Sequence, residues 1–214
     1  MIKDIKTFIL GGFSGNCYLL TTERGFILID TGGKFKRRKL EQDLVREGCR
    51  PGNLDVILLT HGDFDHTGNC AYLREKYHTQ IALHHFDVGM VERGDMFWNR
   101  QTGNIIIRKL VNWFFNIRRF KPDFELDENS DLSQYGLNAK VLYIPGHSKG
   151  SIGILTSDKN LFCGDLFTNQ KKPEPNALVD NFIELNESID KLKSLDITTV
   201  YPGHGQPFHM SSYK

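Results

Sequence analysis

The sequence predicts an α/β or α+β fold with a layered core, and three observations carry that prediction. Short apolar, β-branched runs bounded by turn residues recur along the chain and read as strands. Stretches with apolar residues at helical spacing are interspersed among them. No Pro-, Gly- or Ser-rich stretch marks a linker, and 214 residues suffice for one large core. Residues 1–214 are therefore expected to form a single domain.

In chain order, Lys6–Leu10, Asn16–Thr21 and Gly25–Ile29 read as strands separated by Gly11-Gly12 and Glu23-Arg24-Gly25. Asp30-Thr31-Gly32-Gly33 ends the third in a turn. Arg37–Gly48 reads as a helix with Leu40, Leu44 and Val45 on one face. Val56–Leu59 is a short aliphatic run and reads as a buried strand. A helix over Thr67–Tyr77, a strand at Gln80–Leu83 and a short helix from Phe86 to about Glu92 follow. After residues 96–121, turn signals resume at Asp127-Glu128-Asn129-Ser130, then strands at Ala139–Ile144, Ile152–Thr156 and Leu161–Cys163. Thr168–Asp180 is polar and contains proline, so it reads as a loop. A helix over Phe182–Leu195 and a last strand at Thr198–Tyr201 complete the chain, with no short-period repeat.

Composition narrows the function. A net charge of +1, from 27 basic and 26 acidic residues, disfavours a nucleic-acid partner held by bulk charge. Met1–Lys6 lacks an apolar core, so no signal peptide is expected. No apolar run approaches the roughly 18 residues of a membrane span. Cys17, Cys49, Cys70 and Cys163 are widely spaced with no C-x-x-C pair, which fits reduced thiols and a cytoplasmic location.

The chemistry concentrates in Thr60-His61-Gly62-Asp63-Phe64-Asp65-His66, directly after the Val56–Leu59 strand. If the chain stays extended, His61, Asp63 and Asp65 point the same way, while His66 opens the next helix. Imidazole and carboxylate together suit zinc, iron or manganese. Three further potential ligands, His147, Asp165 and His204, each follow a strand and a glycine-bearing turn. One such unit is weak evidence, because a lone histidine at a strand end is usually a satisfied surface or core residue. Four in one chain form a metal-site design. His78, His84, His85 and His209 lack that context and read as structural.

The series Asp30-Thr31-Gly32, Thr60-His61-x-x-x-Asp65-His66, Pro145-Gly146-His147, Gly164-Asp165 and Pro202-Gly203-His204 resembles the metallo-β-lactamase-fold hydrolases. The resemblance implies a four-layer αββα sandwich with a dinuclear metal site along one edge. By that pattern His61, Asp63 and His147 would hold the first metal. Asp65, His66 and His204 would hold the second, with Asp165 bridging and Asp30 steadying the ligand loop from behind. The departure is Asp63, where the family motif H-x-H-x-D-H has histidine. A carboxylate there shifts preference toward harder ions such as Fe(II) or Mn(II). Zinc is the first expectation for the two divalent ions, with iron or manganese as alternatives.

The implied reaction is hydrolysis by a hydroxide bridging two metals, with Asp65 or Asp165 taking up its proton. An ester, thioester, lactone or phosphodiester-type bond of a small molecule, with an anionic one as an option, would be the substrate. The alternatives are a non-heme iron oxidoreductase of the same fold, flavodiiron-like or persulfide-dioxygenase-like, and a non-catalytic metal-binding module. Cys163 lies among apolar residues and reads as a packed thiol. Residues 96–121 contain no Asp or Glu and read as a helical insertion. Within Ile105–Arg119, Ile106, Leu110, Trp113, Phe114 and Ile117 line one side and Arg108, Asn112, Asn116 and Arg119 the other. Packing of the apolar side on the sandwich and a lid over the metal cleft are the two expectations. Attachment to a membrane surface fits the same pattern, but no stable anchoring is expected without a second signal. The sequence carries no sign of oligomeric state.

Overall fold

The structure is a computed structural model that describes residues 2–100, 104–128 and 130–213. Part of the expected insertion, residues 101–103, and Asn129 of the expected turn lie outside the described residues. The strands are β1 (Asp4–Phe8), β2 (Cys17–Thr21), β3 (Phe26–Ile29), β4 (Leu54–Leu58), β5 (Gln80–His84), β6 (Phe124–Leu126), β7 (Ala139–Tyr143), β8 (Ile152–Thr156), β9 (Asn160–Asn169), β10 (Glu174–Pro175), β11 (Thr199–Gly205) and β12 (Phe208–His209). The helices are α1 (Arg37–Arg46), α2 (Phe64–Thr67), α3 (Cys70–Tyr77), α4 (His85–Arg93), α5 (Ile105–Phe115) and α6 (Phe182–Lys193).

Two sheets form, one ordered β1-β2-β3-β4-β5-β6 and the other β12-β11-β9-β8-β7 with β10 on β9. Strand alternation sorts side chains to their two faces. Tyr18, Leu20, Ile27, Ile29, Val56 and Leu58 meet Val141, Ile152, Ile154 and Phe162 between the sheets. The residues between them in sequence, Leu19, Leu28 and Ile57, face outward onto Leu40, Leu44, Leu73 and Tyr77 of α1 and α3. On the far side, Leu142, Ile144, Leu161 and Val200 are covered by Leu185, Ile189 and Leu192 of α6. Helix, sheet, sheet, helix is the expected four-layer sandwich. Cys163 is buried in that outer layer, and burial pushes its thiol up to about 12, as suits packing.

Several elements differ from expectation. The helix expected over Thr67–Tyr77 is split into α2 and α3, and His66 lies inside α2. The break falls at Gly68-Asn69, where the Asn69 side chain donates to the carbonyl of Thr31 at 2.7 Å. β9 runs on through Asp165 to Asn169, and part of the expected loop forms β10, which pairs with it. β11 likewise continues through His204. β6, a three-residue strand, has no counterpart in the sequence reading because it is too short for periodicity to register.

The largest correction concerns α5. It is helical and amphipathic as expected, but it packs with its polar side inward. Arg108 and Asn112 donate to the Asp95 carboxylate at 2.9 and 2.7 Å. Ile105, Ile106, Ile107, Leu110, Trp113 and Phe114 are all exposed, and no residue of the helix is buried. Of the residues assigned to the apolar side, only Ile117, beyond the helix end, is buried. Packing of the apolar side on the sandwich is therefore overturned: Asp95 gives the polar side an inward partner that sequence spacing could not show.

Candidate metal centre

The parallel strands β3 and β4 end at one edge of their sheet, and the loop after β4 carries His61, Asp63, Asp65 and His66. Across the interface β9 and β11 run parallel as neighbours, with register shifts between Tyr201 and His204. Such irregularities re-aim side chains, and here they bring Asp165 and His204 to the same edge. His147 comes from the β7–β8 connection.

All seven residues expected as ligands converge there. His61, Asp63 and His147 form one trio, and Asp65, His66 and His204 another, with ligand atoms of each within 4.8 Å of one another. Asp165 lies between them: its carboxylate is 3.2 Å from His66 Nε2, 3.4 Å from His204 Nε2 and 3.8 Å from His147 Nε2. The expected common direction of His61, Asp63 and Asp65 does not hold. The start of α2 at Phe64 turns Asp63 toward His147 at 3.1 Å and Asp65 toward His204 at 3.2 Å.

The imidazole hydrogen bonds decide which nitrogens face the centre. His147 Nδ1 lies 2.6 Å from the carbonyl of Leu178, which can only accept, so Nδ1 carries a proton. The Thr60 hydroxyl donates to Asp30 Oδ2 at 2.7 Å, so at 3.0 Å it accepts from His61 Nδ1. Asp30 Oδ2 also lies 2.8 Å from His66 Nδ1. In the neutral rings each Nε2 lone pair therefore faces inward, the arrangement that outer partners impose on metal-binding histidines. His61 Nε2, His66 Nε2 and Asp165 Oδ1 are buried without a hydrogen-bond partner. Inward orphan lone pairs of histidine and carboxylate fit a divalent metal. Room is kept for them by Gly203, where an added Cβ would lie 1.9 Å from Asp165 Oδ1 and 2.9 Å from the His66 ring.

Electrostatics follow from this crowding. Burial and the neighbouring His66 and His147 hold His61 well below its usual range. Burial opposes charge on His204 too, but hydrogen bonding to Asp165 and then Asp65 lifts it to about 9. Asp165 is held low despite its burial, chiefly by His66 and His204.

Two residues with enclosed side chains at the site were not assigned to it from the sequence. Arg100 grips Asp63 with both guanidinium ends, Nη1 to Oδ1 at 2.7 Å and Nη2 to Oδ2 at 3.1 Å. Its Nε donates to Asp180 at 2.9 Å. Burial works against the Asp63 charge, yet Arg100 and then His147 keep its carboxyl far below the usual range. Asp87, fully buried, accepts from the backbone N–H groups of Gly62 and Gly150, both at 2.9 Å. It also accepts from the Ser148 hydroxyl and the Asn99 amide, both at 2.7 Å. It thus ties the loop of His61 to the loop of His147. The sequence signalled Arg100 only as one cation of an acid-free segment. His84 and His85, read as structural, stack on each other away from the centre, His84 also on Tyr143.

A cavity of about 1010 Å³ opens over the centre, with Asp63, Asp65, Asp165, His147 and His204 among its lining. Phe13, Phe97, Phe115, Leu178 and Val179 form apolar wall, and Lys171 brings a cation.

A family model described as the metallo-beta-lactamase superfamily matches residues 10–204. The chain is 29% identical over 169 residues to the hydroxyacylglutathione hydrolase GloC of Haemophilus influenzae, covering 76% of this chain and 71% of that protein. It is 24% identical over 227 residues to the acyl-coenzyme A thioesterase MBLAC2 of Homo sapiens, covering 95% and 77%. Among solved structures, one of a di-iron-bound form superposes with a TM-score of 0.72 at 27% identity, covering 96% of this chain and 95% of that one.

Proposed function

The chain belongs to the metallo-beta-lactamase superfamily and is a hydrolase, and on that premise we propose that it cleaves acyl thioesters of small molecules with two divalent ions at this centre. The observation that carries the reading is the juxtaposition of the ligand cluster with an apolar-walled cavity. Phe13, Phe97 and Phe115 suit an acyl chain, and Lys171 suits an anionic carrier. The names of two relatives, a hydroxyacylglutathione hydrolase and an acyl-coenzyme A thioesterase, point the same way.

His61, Asp63 and His147 would hold one ion, Asp65, His66 and His204 the other, and Asp165 would lie between them. Bound divalent ions supply Lewis acidity to the carbonyl and lower the pKa of a water. The chain's own groups do the rest. Asp65 is a quarter exposed at the cavity floor, so it can take a proton from the attacking water and pass it to solvent. Asp165 is more enclosed, and its Oδ2 accepts from Asn176 at 3.0 Å, which fixes the carboxylate's orientation. No serine or cysteine nucleophile enters the reading: the Ser148 hydroxyl donates to Asp87, and the Cys163 thiol is buried.

Zinc is the first choice for the ions, since four imidazoles face the centre. Iron is the second reading, favoured by the di-iron-bound structural neighbour, and it would reopen the oxidoreductase alternative. The test is elemental analysis of the purified chain, then hydrolysis of acyl-coenzyme A, acyl-glutathione, lactone and phosphodiester substrates after loading with zinc, manganese or iron. Thioester turnover that exceeds the rest supports the proposal. Turnover confined to the phosphodiester, or none with any metal, refutes it.

A further inference from the structure

Asp63 stands where the family motif has a neutral histidine, and it is not alone there. Both its oxygens are held by Arg100, whose side chain is 7% exposed. Oδ2 nevertheless still faces His147 Nε2 at 3.1 Å and His61 Nε2 at 3.7 Å, so the guanidinium leaves that oxygen turned toward the two imidazoles. A planar fork is the side chain suited to this bidentate hold. The Nε–H donates to Asp180 at 2.9 Å, fixing the fork's angle. We propose that the Arg100 guanidinium, shared with Asp180, offsets the Asp63 charge where the family has a neutral imidazole, so that Arg100 sets the affinity of the first metal position. Resting on the metal reading above, the inference makes Arg100 a positioning and charge-setting residue. Its consequence is that the extra carboxylate does not by itself turn the site toward harder ions.

The test measures zinc and manganese binding by chelator competition, with no need of turnover. Arg100→Met leaves the site one charge more negative, and both ions should bind about tenfold or more tightly. Asp63→Asn leaves the guanidinium alone, and binding should weaken by about as much. The double variant restores the net charge but not the carboxylate ligand, so it should bind more tightly than Asp63→Asn alone and more weakly than the wild type. If Arg100→Met fails to fold, Arg100→Gln serves in its place, with the same expected direction. Weaker binding in the Arg100 variant would mean that the guanidinium merely holds Asp63 in place, and unchanged binding that it does nothing for the metal; either overturns the inference. Absence of metal binding by the wild type overturns the metal reading itself, which separates the two failures.

The outward face of α5 carries an independent inference. Ile106 and Trp113 are 71% and 74% exposed, and Phe114 touches Phe35, itself exposed, with ring centroids 5.6 Å apart. Phe13, exposed at the cavity mouth with Phe115, extends the patch toward the metal centre. The segments supplying these residues, 9–22, 31–40 and 96–121, contain no Asp or Glu. They contribute Lys34, Lys36, Arg38 and Lys109, and Lys34 lies over the Phe35 ring. An apolar face whose own segments supply cations and no acids complements an anionic lipid surface, even though Asp65 and Glu174 line the cavity beside it. We infer that this face docks reversibly on bilayers containing anionic lipid and brings the cavity mouth to the interface. The full chain should pellet with phosphatidylserine-containing vesicles, less so as salt is raised, and not with phosphatidylcholine alone. Joint replacement of Leu110, Trp113 and Phe114 by serine should abolish pelleting while leaving the circular dichroism intact. Failure to pellet, or pelleting indifferent to the triple substitution, overturns the inference. Self-association through this face without vesicle binding overturns it in favour of a second copy.

Discussion

Asp30 Oδ2 lies 2.8 Å from His66 Nδ1, while the same oxygen accepts the Thr60 hydroxyl and Oδ1 accepts the Thr60 backbone N–H at 2.9 Å. One buried carboxylate thus orients His66 directly and His61 through Thr60. Its backbone pays for the placement, with φ at 57°, a region side-chain-bearing residues seldom enter. Asp30→Asn keeps the shape but offers one acceptor oxygen in place of two. It should weaken zinc binding by about 10- to 100-fold, as losses behind metal ligands do. Affinity equal to the wild type in a chelator titration would show that the His66 and His61 rings are oriented by packing alone.

Asp87 holds the two ligand loops together with four accepted hydrogen bonds. Burial pushes its carboxyl up, and the bonds from Ser148, Asn99 and Gly62 pull it only part of the way back. Asp87→Ala would strand Gly62 N–H and Gly150 N–H in the interior, while the Ser148 hydroxyl keeps Ser151 at 2.9 Å. About 2 kcal/mol or more of stability should be lost, since each stranded donor costs about 1–3 kcal/mol. Denaturant unfolding measures this, and a loss below about 1 kcal/mol would mean that water or rearrangement satisfies those donors.

What the sequence disclosed follows from the range over which each signal acts. The β4 strand and the ligands after it are local: an aliphatic run, a turn and an imidazole sit within a few residues. The strands of the layered core were legible for the same reason, as short apolar runs between turns, whereas the four-layer sandwich was expected only from the family resemblance. Arg100 and Asp87 were not, because their roles exist only in three dimensions. Asp63 and Arg100 are 37 positions apart. Asp87 in the first turn of α4 looks like any acid favoured at a helix start. The Asp63 side chain alone suggested hard ions; its partner changes the charge count. For α5 the periodicity showed that the two faces differ but not which one Asp95 would claim.

That reversal gives opposite stability effects to those a buried apolar stripe would show. Trp113→Ser and Ile106→Ser remove exposed side chains and should change unfolding free energy by less than about 0.5 kcal/mol. Asp95→Ala removes the acceptor of both Arg108 and Asn112, and should release the helix from the body. Amide hydrogen exchange over Ile105–Phe115 reads this out. Faster exchange is expected in the Asp95 variant and wild-type exchange in the other two. Strong destabilisation by Trp113→Ser would instead place the apolar side inward.

His204 links the centre to pH. Burial lowers its affinity for a proton, but the bonds to Asp165 and Asp65 prevail and raise it from the usual 6.5 to about 9 in the metal-free chain. A group with a raised folded pKa stabilises fully below its unfolded value and loses that contribution as pH rises through the folded one. Metal-free protein should therefore lose Tm progressively between pH 6.5 and about 9. A metal at the second position must displace the same proton, so apparent zinc affinity should climb over that window and level off above it. The stabilisation that zinc adds to Tm should widen accordingly. His66 and His147 are raised by the same carboxylates, so His204→Gln removes one titrating ring of several and should shrink the metal-free Tm slope. A slope equal to that of the wild type would show that the His204–Asp165 contact does not contribute to it.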